Sequence, residues 1–315
     1  MKYLCNPSTD PHWNMAFDQF TLERLSVDEP LFYLWRNAPA VIIGLNQSAY
    51  AEVDLPYLEA EGIVLARRVT GGGAVYHDLQ NLNYSIVGPI RQMEDAVFLM
   101  EKALRELGVP VERTGRNDLK VEGRKCSGYA KRMSRDRLMV HGTLMWDVNL
   151  EKLTRALSVP GSKLEAAGIE SVRSRVANLK GYLPGITSIE DFQDKLQTIL
   201  SQGDTEHPLS PEQRLEVDRM ADEKFRLWEW NFGHSPATTF ASRKHFPCGT
   251  VEARYTLKHG MFTALQFTGD FIGAQPAAVL AGELIGQRPE AVLSLETSAY
   301  FDGVSPKEIL TLFLS

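Results

Sequence analysis

The chain has 315 residues, 43% of them hydrophobic and 23% charged, with a formal net charge of −6. That length exceeds the roughly 250–300 residues that one hydrophobic core usually serves, so two domains are predicted. The composition excludes a disordered chain, no run of about 18 apolar residues predicts a membrane span, and the negative balance argues against a dedicated nucleic-acid binder.

Three cysteines, Cys5, Cys126 and Cys248, are too few and too scattered for a disulfide framework, and there is no C-x-x-C. No pair of histidines has the H-x-x-x-H spacing, so no structural zinc site is expected. The polar N-terminus predicts no signal peptide, and the whole reads as cytoplasmic.

In chain order, residues 14–25 predict a helix, and 31–35, 40–45 and 63–66 predict strands. A strand over 84–87 stops at Gly88-Pro89. Residues 93–107 predict the clearest helix, ended by Gly108 and Pro110. Residues 119–127 read as a hairpin turning at Glu122-Gly123, and Leu138, Val140 and Leu144 alternate as in a half-buried strand. Capping signals at Ser188, Ser210 and Ser305 predict three later helices. After residues 232–236 the pattern restarts: strands over 250–257 and 261–267, a turn at Lys258-His259-Gly260, then two helices. Strands come in clusters, which favours α+β over a doubly wound sheet. A small second unit over residues 246–315 is predicted.

Three segments carry chemistry. The first runs Arg67-Arg68-Val69-Thr70-Gly71-Gly72-Gly73-Ala74-Val75-Tyr76-His77-Asp78. Three consecutive glycines let a backbone approach a ligand and turn its N–H groups toward it, and two arginines add forked donors for phosphate or carboxylate. The segment is neither a Walker A loop nor G-x-G-x-x-G. A flexible turn with solvated arginines is the competing reading. The second lies within residues 111–138, where nine basic and four acidic residues give +5 and leave −11 for the remainder. Such a stretch suits an anionic substrate, although a solvated hairpin has the same composition. If residues 125–127 form a strand, Lys125 and Ser127 share one face, Cys126 takes the other, and Lys125 beside Gly128 can reach a pocket. The third is Val140-His141-Gly142-Thr143, where a His-Gly inside an apolar strand points to close backbone approach; a satisfied core histidine is the alternative. Cys126, beside lysines that would lower its pKa, and Cys248 are candidate thiolates, against the commoner role of a small buried hydrophobe.

The strings RRVTGGGAVYHD, GRNDLKVEGRKCSGYA and HGTLMWDV, followed in order by segments at 168–179, 183–187 and 228–233, resemble the lipoate–protein ligase A family in its two-domain, ATP-dependent form. The resemblance implies a mixed-sheet catalytic domain over residues 1–243, of the biotin/lipoate protein ligase type, and a C-terminal α+β accessory domain over 246–315. It implies that lipoate and Mg-ATP give lipoyl-AMP and pyrophosphate, and that the lipoyl group then passes to a lysine ε-amine. The implied carriers are lipoyl domains of 2-oxoacid dehydrogenase acyltransferase subunits and the glycine cleavage H protein.

Within that resemblance, Lys125 would sit between carboxylate and phosphate as the catalytic lysine, and Arg68 would contact the phosphate or acyl carbonyl. Backbone groups of Gly73, Ala74, Val75 and Tyr76 would hold the nucleotide. Asp118 would touch Mg2+ or ribose. His141 and Gly142, with Gly72, would line the lipoate pocket, and the channel would draw on Leu34, Trp35 and Arg36. Cys126 stands where the family more usually has Val or Ile. That departure keeps open an ATP-independent octanoyl or lipoyl transferase with a cysteine nucleophile. A non-catalytic paralogue is the third reading.

Overall fold

A computed structural model describes residues 1–94, 96–114, 117–157 and 174–314. Its first part is built from β1 (Lys2–Tyr3), α1 (Pro11–Glu23), β2 (Leu31–Trp35), β3 (Ala40–Ile43), α2 (Ala49–Glu52), α3 (Leu55–Ala60), β4 (Val64–Arg67), β5 (Val75–His77) and β6 (Asn81–Pro89). Then come α4 (Ala96–Glu106), β7 (Val111–Thr114), β8 (Asp118–Val121), β9 (Arg124–Ser134), β10 (Arg137–Met145) and α5 (Leu150–Ala156). Three helices follow among the described residues: α6 (Ile189–Ser201), α7 (Pro211–Met220), which runs on into a π-turn over Ala221–Phe225, and α8 (Trp228–Asn231). The chain closes with β11 (Thr238–Phe246), β12 (Gly249–Lys258), β13 (Met261–Gly269), α9 (Ala277–Leu284) and α10 (Pro306–Leu314).

The main sheet has the order β1-β2-β6-β10-β9-β8-β7, with β1 and β2 parallel and the other pairs antiparallel. A smaller sheet, β4-β3-β5, pairs β3 with β4 in parallel and with β5 antiparallel. The third, β11-β12-β13, is antiparallel. Mixed sheets with clustered strands are the α+β arrangement expected.

Both faces of the main sheet are covered. Phe32, Leu34, Leu82, Tyr84 and Ile86 face a core shared with α4 and α6, whereas Leu31, Tyr33, Trp35 and Met139 face α1 and the small sheet. This is why β2 reads as a continuous apolar run and not as an alternation. The α1 helix starts earlier than its apolar periodicity predicts, because Asp10 accepts from the N–H groups of His12 and Trp13 and Pro11 takes the first turn. At the β8–β9 turn Glu122 and Gly123 both have positive φ, 51° and 77°, the two-residue geometry that matches strand twist. His259 and Gly260, at 52° and 70°, repeat it between β12 and β13.

The third sheet packs against α9 and α10 around Tyr255, Phe262 and Phe313. Tyr50, from α2 in the first part of the chain, is buried in this same cluster. The β11 strand has no counterpart among the predicted elements; its polar residues pair along their whole length with β12. Residues 243–246, where a division between units was expected, fall within it, and the sheet begins at Thr238.

The α6 helix holds the outer face of the main sheet through Phe192, fully buried and stacked on Trp146 at 4.8 Å between ring centroids. Phe192→Ala is expected to cost about 3–5 kcal/mol of unfolding free energy in urea titrations; a loss under about 1 kcal/mol would mean that this face is not part of the cooperative core.

Candidate active site

Arg67 and Arg68 leave the end of β4 in opposite directions. Arg67 is fully buried, and its bonds go to neutral groups. Nε donates to the Trp230 and Asn231 carbonyls at 3.0 and 3.2 Å, and Nη1 to those of Gly44, Leu45 and Gln47 at 3.0, 3.0 and 2.6 Å. Nη2 donates to the Asn231 carbonyl at 2.7 Å and the Ser235 hydroxyl at 3.1 Å. Burial lowers its pKa to about 10, which leaves it charged at neutral pH. Arg67 therefore ties the turn after β3 to the segment after α8.

Arg68 clamps the glycine loop. Its Nη2 donates to the carbonyls of Gly71 and Gly73, both at 2.8 Å, its Nη1 to Ile42 O at 3.0 Å and its Nε to Thr70 Oγ1 at 3.0 Å. Burial brings it to about 10 as well. Gly44 lies against this loop: a Cβ there would stand 2.1 Å from the Gly72 carbonyl oxygen. Gly72 itself has φ +99°, a conformation that a side chain would strain.

Thr70 continues the network inward. His141 Nδ1 donates to Asp18 Oδ2 at 2.6 Å, so its Nε2 accepts from the Thr70 hydroxyl at 2.8 Å. Asp18, 1% exposed on α1, also accepts from Tyr33 Oη at 2.6 Å and Ser85 Oγ at 2.8 Å. Hydrogen bonds thus run without a break from a buried carboxylate to the glycine loop. His141 is both a satisfied core histidine and a cavity-lining one. Gly142 beside it permits the close approach that its position suggested: a Cβ would meet Tyr84 Oη at 2.6 Å and the Gly128 carbonyl oxygen at 2.7 Å.

Lys125 lies on β9 and folds back over Gly128, where a Cβ would be 2.8 Å from Nζ. Nζ pairs with Asp118 Oδ1 at 2.8 Å, and both side chains are partly exposed. The backbone of Lys125 is stitched to a neighbouring segment: its N–H donates to the Arg175 carbonyl and its own carbonyl accepts from the Ala177 N–H, at 2.8 and 2.9 Å. Cys126 turns the other way, into the α4–α6 core, donating weakly to the Leu119 carbonyl. Burial pushes its thiol up to about 12, opposite to the lowering that neighbouring lysines suggested. Burial likewise raises Cys248, which belongs to the C-terminal cluster.

These elements enclose a cavity of about 140 Å³. Arg68, Gly72, Gly73, Ala74, Val75, Lys125, His141 and Gly142 line it, as predicted residues brought together by three strands and a loop. The Tyr76 side chain points away, into the core around Val41, Ile43 and Leu58, so only its backbone is available there. Of Leu34, Trp35 and Arg36, only Trp35 reaches the cavity; Leu34 enters the opposite core and Arg36 pairs with Glu190. The basic stretch does not form one free anionic-ligand face. Arg113 lies over the Phe98 ring, Arg124 donates to Tyr182, Arg132 donates to the Val69 carbonyl and Arg137 to that of Leu25. Arg116 and residues 168–173 lie outside the described residues.

Thr70 and His77 stand in the glycine-rich segment but were given no role there, and Asp18 and Asn83 were not singled out at all. One signal was present: Asn14 and Asp18, spaced i,i+4, sit among the apolar residues of α1, where an unpartnered acid would be costly. Among the described residues no group of three or more His, Cys, Asp or Glu could hold a metal.

A family model described as "Lipoyl protein ligase A/B catalytic domain" matches residues 10–201, and one described as "Bacterial lipoate protein ligase C-terminus" matches 235–313. The chain is 36% identical over 281 residues to lipoate–protein ligase 1 of Staphylococcus aureus, covering 87% of this chain and 86% of that one. A solved archaeal bipartite lipoate protein ligase from Thermoplasma acidophilum, described together with its E2 lipoyl domain, superposes with TM-score 0.66 at 30% identity over 74% of this chain and 95% of its own. A lipoate–protein ligase A bound with ATP superposes with TM-score 0.64 at 28% identity over 74% and 98%.

The carboxylate–imidazole pair sets a measurable tautomer. Asp18→Asn is expected to present an amide N–H to Nδ1 and move the His141 proton to Nε2, seen by 15N NMR of histidine-labelled protein as a switch of the Nε2 resonance from pyridine-type to pyrrole-type. An unaltered Nε2 resonance would count against the bonding direction described.

Proposed function

The chain belongs to the lipoyl protein ligase A/B family, and we propose on that footing that the cavity under the glycine loop is where lipoate is adenylated and then transferred. The protein is an ATP-dependent lipoate–protein ligase. The observation that carries the assignment of the site is the place of Lys125: a cation lying over Gly128 and lining the same cavity as a clamped glycine loop.

In the first step a carboxylate oxygen of lipoate attacks the α-phosphorus of ATP, the bond from that phosphorus to the bridging oxygen breaks, and pyrophosphate leaves. Negative charge gathers on the α-phosphate oxygens. Lys125 Nζ exchanges Asp118 for the carboxylate and α-phosphate, holding two anions together and stabilising that charge. Arg68 keeps the glycine loop in shape, and the backbone from Gly73 to Tyr76 receives the nucleotide. In the second step the ε-amine of the carrier lysine attacks the acyl carbon, the bond to AMP breaks, and the amine gives up a proton. Gly72, His141 and Gly142 form the acyl wall.

Mg2+ fits this donor set. It commonly needs only one or two protein carboxylates alongside substrate phosphates, and Asp118 is the carboxylate beside Lys125. When bound, the ion neutralises phosphate charge. The carriers are lipoyl domains, those of 2-oxoacid dehydrogenase acyltransferase subunits and the glycine cleavage H protein. The catalytic unit comprises the two sheets that enclose the cavity, and the antiparallel sheet with α9 and α10 is the accessory unit. No helix among the described residues is long and apolar enough to cross a membrane, and we place the enzyme in the cytoplasm.

Both candidate cysteine nucleophiles are buried away from the cavity with raised pKa values, which disfavours a thioester route. Lys125→Ala is expected to slow lipoate-dependent exchange of pyrophosphate into ATP by about 10²–10³-fold, while Cys126→Ser and Cys248→Ser retain it. Undiminished exchange in Lys125→Ala would remove that lysine from the chemistry. Chelation of Mg2+ by EDTA is expected to abolish mass gain by an apo lipoyl domain incubated with lipoate and ATP; transfer that persists without ATP would favour the cysteine route.

A further inference from the structure

The cavity ends among apolar walls that carry two unpartnered donors. His77 and Asn83 are 3% and 1% exposed, and both line the cavity next to Trp35 and Met15. His77 Nε2 and Asn83 Nδ2 have no hydrogen-bond partner among the described residues. Such orphaned buried polar atoms are uncommon and costly.

The bonding direction at each is determined by its neighbours. Asn14 Nδ2 donates to the Ser8 and Arg36 carbonyls, both at 3.1 Å, which orients that amide. It also donates to Asn37 Oδ1 at 2.8 Å, so Asn37 turns its Nδ2 to His77 Nδ1 at 3.0 Å. Nδ1 is therefore the acceptor and the ring proton sits on Nε2, inside the cavity. Burial, with the Arg68 charge adding to it, drops His77 to about 3, so the ring is neutral. Asn81 Nδ2 donates to Asn83 Oδ1 at 2.9 Å and leaves the Asn83 amide N–H groups facing inward.

Strand register places this end far from Lys125. Asn83 pairs with Trp35 on one side and Thr143 on the other, and the next strand beyond Thr143 is β9, which carries Lys125. Two strand spacings, about 10 Å, separate the Asn83 backbone from the strand that carries Lys125. On the reading above, the carboxylate lies at Lys125 and the distal end of the acyl chain meets His77 and Asn83.

We propose that His77 Nε2–H and the Asn83 amide form a polar end-stop that recognises the sulfur atoms of the dithiolane ring and selects lipoate over a plain fatty acid of similar length. The ring suits the place: an apolar body fills the space between Met15 and Trp35, and sulfur lone pairs accept weakly from the two donors. The methyl end of octanoate fills the same space and leaves both donors dry. One hydrogen bond of ordinary net strength corresponds to about tenfold in selectivity.

The test is the ratio of kcat/KM for lipoate to that for octanoate, measured by intact mass of an apo lipoyl domain with full-length enzyme, ATP and Mg2+. In His77→Phe and in Asn83→Leu the ratio is expected to fall about tenfold, chiefly through the KM for lipoate. Asn37→Asp offers an acceptor to Nδ1 and removes the donor from Nε2 without altering the cavity wall, so it is expected to lower the ratio as well. Equal loss with both acids, leaving the ratio unchanged in the variants that fold, would overturn the proposal. A wild-type enzyme that lipoylates nothing with ATP would instead overturn the assignment of the cavity.

Discussion

A charged guanidinium at the centre of the molecule, bonded to carbonyls and one hydroxyl, organises the rest of this structure. Arg67 gathers three carbonyls from the turn after β3 and the carbonyls and hydroxyl of residues 230–235 around one planar fork. An arginine can do this where a lysine cannot, because its donors point in several fixed directions in one plane. Without it, those carbonyls would be buried and unsatisfied, and the turn carrying Gly44 would lose its seat. Gly44 is what Gly72 rests on, and so the shape of the cavity wall depends on a residue that never enters the cavity.

The adjacent Arg68 repeats the device on the other side. Strand geometry sends neighbouring side chains in opposite directions, so one dipeptide serves both the scaffold and the site. Arg68 holds the glycine loop by its carbonyls and makes no use of the loop N–H groups. Behind it, Asp18, His141 and Thr70 supply a hydrogen-bond direction that begins at a buried acid and ends at the loop. The loop is thereby held in shape by hydrogen bonds within the protein itself. Lys125 is the opposite case: it is partly exposed, and its ion pair with Asp118 is partly exposed as well.

The cysteine question shows how position overrides composition. Beside lysines in the chain, Cys126 has the neighbours of a reactive thiol. On a strand it faces away from them into an apolar core, where burial, with the Asp118 charge adding to it, raises its pKa. The same alternation divides the basic stretch. Arg113, Arg124, Arg132 and Arg137 are each engaged by groups of the protein itself, whereas Lys125 lines the cavity.

Much of the fold was legible in the chain because its signals are local. Caps at Ser188, Ser210 and Ser305, the Glu122-Gly123 and His259-Gly260 turns, and the apolar runs of β2 and β6 depend on neighbours within a few residues. The glycine loop and Lys125 were legible as residues of one cavity wall for the same reason, since their residue types stand out in the chain. The β11 strand was not, because its polar residues become a strand only by pairing with β12. Nor were Asp18, Asn83 and the bonding direction at His77. Each is an ordinary residue until the strands and α1 are packed, and its role consists of hydrogen bonds to partners distant in sequence, at 2.6 Å from Asp18 to His141 and 3.0 Å from Asn37 to His77. By itself the sequence determined which groups could do the chemistry. Tertiary structure alone decided which donors and acceptors were left to face the cavity, because that depends on how buried polar groups satisfy one another across the core.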